Sequence, residues 1–172
     1  MRLGNVGTSP DGRSVDILIT NTTQYAATNP SLNKVNDNGF ATINVQTGTN
    51  VELSLAFIDS YDDPIESIEL ECVMLSFYDF DTGKSSVETL MVEGFETYTV
   101  SGNTELAIGA DDSGRTTFSA TARGYGADNP TDPVALTEVQ RQRSVALRFE
   151  GVASVEMALD ISGSTGKLWL EP

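Results

Sequence analysis

From Ser14 the chain runs SVDILIT, in which Val15, Ile17 and Ile19 alternate with Asp16, Leu18 and Thr20. A period of two puts neighbouring side chains on opposite faces of an extended strand, so one face of this segment is predicted to be buried. The preceding SPDG is a turn signal, because proline presets φ, aspartate bonds its own backbone and glycine accepts the exit conformation. The same pattern predicts strands at residues 39–45, 51–58, 67–78, 86–94, 96–102, 104–110, 115–124, 143–151, 153–161 and 167–172. Short strands punctuated by Gly, Asp, Asn and Ser every roughly 8 to 12 residues point to an all-β fold. The expected architecture is an antiparallel β-sandwich, jelly-roll-like, in one domain spanning residues 1–172, with residues 1–13 as an N-terminal extension.

One stretch breaks the run of strands. GADNPTDPVALTEVQ, residues 126–140, holds two prolines followed by Thr137 and, three residues later, Gln140. That spacing is a capping box, so a short helix is predicted near residues 137–142, ended by the return of strand alternation in SVALRFE. The segment therefore reads as a long crossover whose prolines stop the preceding strand and whose helix covers an end of the sandwich. The first dozen residues and residues 22–39 are the most loop-like parts.

Composition narrows the function. A chain of 172 residues can bury about 70% of its unfolded surface, enough for a core without disulfide or metal staples. Its net charge of −15 opposes nucleic acid and anionic membrane surfaces, which are held by clustered Lys and Arg. The mutual repulsion of these charges is relieved by cations. The sequence has no histidine, which removes Ser-His-Asp catalysis, His-ligated zinc and imidazole proton shuttling within this chain. The lone Cys72 sits in an apolar run and reads as a buried, inert thiol. MRLGNVG has no apolar core of a signal peptide and the apolar runs fall short of a membrane span, so direct membrane insertion is not expected.

Carboxylates gather where strands are expected to end: Asp59, Asp62 and Asp63; Asp79 and Asp81; Asp111 and Asp112; Asp128 and Asp132. Calcium takes six to eight oxygens, and sandwich loops supply them readily, whereas ordinary turn formation is the competing use. On an extended strand Asp79 and Asp81 would share a face about 6 to 7 Å apart. Catalytic carboxylates of glycosidases flank the sugar, so a cation or turn role suits this pair better. The expected metal ligands are Asp79, Asp81, Asp128 and Asp132, with Asn129 completing a calcium-stabilised corner. Arg123, Tyr125, Asn129, Arg141 and Arg143 form the candidate ligand-binding set, since aromatic rings, amides and guanidinium forks read sugar hydroxyls and acidic groups. Alternatively the arginines neutralise nearby aspartates and the tyrosine packs on a loop. Trp169 is either an exposed platform for a sugar ring or a half-buried strand residue.

FYDFDTG, VEGFETYTV and TTFSATARGYGADNPTDPVALTEVQRQRSVALRFE together resemble a recurrent, uncharacterised extracellular β-sandwich module of multidomain proteins of unicellular algae. The similarity is close over residues 77–149 and looser over residues 40–162. It implies an extracellular or cell-surface accessory or adhesive domain within a larger chain and no particular reaction. The cysteine-rich insertion common between the third and fourth strands of such modules is missing here. The expected function is noncatalytic recognition or adhesion toward a carbohydrate or protein partner. A polysaccharide-active jelly-roll enzyme and a self-associating structural subunit are the alternatives, since fold alone does not choose among them.

Overall fold

A computed structural model describes residues 1–36, 40–61, 65–124, 126 and 129–163. Its strands are β1 (Arg2–Thr8), β2 (Ser14–Asn21), β3 (Lys34–Val35), β4 (Ala41–Thr42), β5 (Thr49–Asp59), β6 (Leu70–Phe77), β7 (Ser86–Val92), β8 (Thr97–Val100), β9 (Leu106–Ala110), β10 (Thr116–Ala120), β11 (Val145–Val152) and β12 (Ser154–Gly163). They form a seven-stranded sheet in the order β1-β2-β5-β12-β7-β10-β9, a three-stranded sheet β6-β11-β8 and a small hairpin β3-β4. Every strand pair is antiparallel.

From β5 onward the chain follows a jelly-roll order. β5, β12, β7 and β10 lie side by side in the large sheet, while β6, β11 and β8 form the small one. β9 departs from that order, because it stays paired with β10 instead of extending the small sheet beside β8. The two sheets bury their facing alternate residues. Leu90, Phe118 and Met157 of the large sheet and Leu147 and Phe149 of the small sheet are fully enclosed. Phe95 and Tyr98 set their rings edge-on against this layer, with Tyr98 5.3 Å from Phe118.

Three strands cannot cover seven. The inner face of β2 and β5 extends past the small sheet, and part of the segment between these two strands packs there instead. Tyr25, Ala41, Ile43 and Val45 join the core. Asparagines order this segment where regular pairing does not. Asn33 Oδ1 accepts the Asn44 N–H at 2.7 Å, and Asn44 Oδ1 accepts the Asn29 N–H at 2.7 Å. The Tyr25 hydroxyl lies 2.5 Å from the Asn44 carbonyl oxygen. A loop-like composition thus yields a fixed flap carrying β3-β4.

Several sequence expectations are met and others corrected. The predicted capping box is present: Gln140 N–H donates to Thr137 Oγ1 and Gln140 Oε1 accepts from Thr137 N–H, starting α1 (Glu138–Gln142). Residues 2–8, read as loop, form edge strand β1. Its bulge, where Asn5 takes φ 55°, hides the alternation that would announce a strand. Among the described residues of the run expected over 39–45, only Ala41–Thr42 form a strand, β4. Cys72 is exposed, not buried. In the β6–β11 register it lies opposite Glu150, while Val73 and Leu75 lie opposite the buried Phe149 and Leu147, so alternation turns Cys72 outward. The strand expected at 167–172, with Trp169, lies outside the described residues.

Candidate functional site

The turn after β6 shapes the site. Asp79 adopts φ 68°, which ends the extended run and removes the shared strand face expected for Asp79 and Asp81. The chain then threads between the ends of two other strands. Phe80 N–H donates to the Arg143 carbonyl at 3.2 Å, just before β11, and Thr82 N–H donates to the Ala122 carbonyl at 2.8 Å, just after β10. Asp81 is buried there against Gly124, where a Cβ would stand 1.6 Å from Asp81 Oδ2. Only glycine lets the two segments meet this closely.

Beside this corner β7 presents Ser86, Glu88, Leu90 and Val92 toward the interior. Glu88 is therefore an acid in a core position, 7% exposed. Its Oε2 accepts a long hydrogen bond from Asp81 N–H at 3.4 Å, and its Oε1 has no hydrogen-bond partner among the described residues. Burial, followed by the negative charges of Asp81 and Asp79, pushes the carboxyl well above the usual carboxylate range.

Glu88 belongs to the wall of a cleft of about 380 Å³. It is lined by the large sheet at Ile17, Leu55 and Met157, by the end of β6, by the flap at Ala41 and Ile43, and by Asn129 and Pro130 of the crossover. Phe40 of the flap meets Tyr78 edge-to-face at 5.3 Å, bracing the two sides. Asp79 and Glu88 are the charged residues on this wall, both acidic, and neither Lys nor Arg lines it among the described residues.

The candidate binding residues separate. Asn129 is buried in the cleft wall; its carbonyl accepts from Gln140 Nε2 at 3.1 Å, and its Oδ1 has no hydrogen-bond partner among the described residues. Arg143 is buried and donates from Nε to Glu105 at 2.7 Å and from Nη2 to the Arg123 carbonyl at 3.2 Å. The Arg123 side chain is exposed, and Arg141 caps the Leu136 carbonyl near its own helix. Tyr125 and Asp128 lie outside the described residues.

Of the expected metal ligands, Asp79 shares the cleft with Asn129, while Asp132 accepts the Val134 N–H in a local turn at 2.9 Å. Among the described residues no group of three or more acidic or cysteine side chains is placed to hold a metal ion. Asp59 and Asp111 likewise serve turns, accepting from Tyr61 N–H and from Ser113 and Arg115 N–H. Glu88 was absent from the sequence candidates. Its signal was present in SVETLMV, where an acid falls in phase with Leu90 and Val92 on the face that must be buried.

Fold and site together define a jelly-roll-like sandwich with an apolar inter-sheet cleft that is acidic at one end. No protein-family model matches the chain, and searches of curated proteins and of solved structures return no match.

Proposed function

We propose that this protein is a noncatalytic recognition module and that it takes its ligand in the inter-sheet cleft. The cleft itself carries the reading: a largely apolar hollow of about 380 Å³ with a few polar groups gathered at one end is the usual form of a small-ligand site. An extracellular or cell-surface setting belongs to the same proposal, supported by the acidic composition and the resemblance to algal surface modules. The geometry favours a ligand with an apolar body over a free sugar, because Arg141 and Arg143 are committed to Leu136 and Glu105. Calcium stays within the proposal as a stabiliser of the corner through Asp79 and Asp81. Its support is their place two residues apart on the turn after β6, and its test is a calcium-specific rise in unfolding midpoint against chelator and magnesium.

Titration with the neutral dye Nile red tests the cleft. Saturable one-to-one binding that Ala41→Phe abolishes is the expected result, since the larger ring fills the flap side of the cleft. Binding without saturation, or unaffected by that substitution, would sink the reading.

A further inference from the structure

We propose that the ligand is an amphipathic organic ammonium ion, with its apolar body over Ile17, Leu55 and Met157 and its charged head held by Glu88 and Asn129. This rests on the cleft being the binding site. Three observations carry it. Glu88 Oε1 and Asn129 Oδ1 are buried acceptors with no hydrogen-bond partner among the described residues, and both residues line the same hollow. A buried acceptor without a donor is costly, and a head group rich in N–H supplies donors to both. The charged residues of the wall, Asp79 and Glu88, are both acidic, so a carboxylate or phosphate is repelled where an ammonium is attracted. Finally, the aromatic rings of Phe40, Tyr78 and Phe80 line the same cleft, and aromatic faces attract organic cations. A bare metal ion fits less well, because the described residues place no set of three acidic ligands and the rest of the wall offers carbon.

Around Glu88, the turn after β6 sets Asp79 and Asp81, the crossover sets neutral Asn129, and β12 pairs Ile161 opposite it. Arg143 is held by Glu105, and neither Lys nor Arg lines the cleft wall among the described residues, so a cationic head meets acidic and neutral neighbours there.

Isothermal titration of the full chain with octylamine, octan-1-ol and octanoate separates head from body. The expected order is amine tightest, by on the order of ten-fold over the alcohol, with octanoate weakest. Glu88→Gln, whose fold is checked by circular dichroism, removes the amine advantage while leaving octanol binding intact. Equal affinity for amine and alcohol in the unaltered protein overturns the ammonium assignment even if the variant fails to fold. Octanol binding that Ala41→Phe does not weaken overturns the cleft as the site, and failure of all three probes to bind overturns both.

Discussion

Asp16 on β2 and Glu88 on β7 are 5% and 7% exposed, and both belong to the large sheet, yet their surroundings are opposite. Asp16 accepts from the Arg2 guanidinium, the Ser60 hydroxyl and the Asn5 N–H. Burial alone would raise its pKa, but these three donors outweigh it and hold the carboxylate below its usual range. Glu88 meets two further acids, one weak donor and an unpartnered oxygen. The first arrangement attaches β1 and the end of β5 to β2. The second makes one long hydrogen bond, from Asp81 N–H, and leaves Oε1 without a partner among the described residues, which is why a ligand is sought beside Glu88 and not beside Asp16.

Removing the well-partnered acid should have the largest effect. Asp16→Ala removes the acceptor shared by Arg2 Nε, the Ser60 hydroxyl and the Asn5 N–H and is expected to destabilise by about 3 kcal/mol, read as a lower urea midpoint at neutral pH. Gly124→Ala is next: it drives Asp81 from its place beside Glu88 and should cost about 2 kcal/mol, with loss of dye binding in the cleft.

Glu88→Gln should have the opposite sign, gaining about 1 kcal/mol at neutral pH by removing the penalty of a buried acid among acids. The pH dependence separates the two carboxylates further. For Glu88, whose folded pKa is raised, stability is full below its ordinary value of 4.5 and falls as pH rises through the folded pKa. For Asp16, whose folded pKa is lowered, stability is full above its ordinary value of 3.8 and is lost as pH falls through the folded pKa. Denaturation midpoints should therefore decline as pH rises above 4.5 in the unaltered protein and decline less in Glu88→Gln, with the loss at lower pH due to Asp16 unchanged. The smallest effect belongs to Thr137→Ala, about 0.5 to 1 kcal/mol from the lost cap. Because Gln140 also holds the Asn129 carbonyl, that variant should weaken amine binding more than octanol binding.

The same contrast explains how much the sequence made legible. Period-two alternation exposed β2, β5, β7 and β10 to β12, because each has one face that must be buried. The helix was readable from Thr137 and Gln140, whose bonds are local. β1 was not, since its pairing depends on β2 and on Asp16 partners that no pattern within RLGNVGT announces. The left-handed turn at Asp79 and the closeness of Asp81 to Gly124 arise from three distant segments meeting, so the candidate corner was legible in its residues and not in its arrangement. Glu88 was legible by phase alone. The neighbours that make it unusual, Asp81 by its backbone and Asn129 across the cleft, come from other elements.

The placing of β12 also dictates an order of events during synthesis. It lies between β5 and β7, and Val155 sits opposite Leu55 about a hundred residues earlier in the chain. Until residues 154–163 have left the ribosome, β1-β2-β5 and β7-β10-β9 are two half-sheets with open inner edges and no strand between them. Such edges invite wrong partners, and long-range pairing is slow to form. The nascent chain therefore depends on its last described strand to seal the large sheet. Ribosome-bound chains halted before Ser154 should be captured by chaperones, whereas chains that have exposed residue 163 should resist protease.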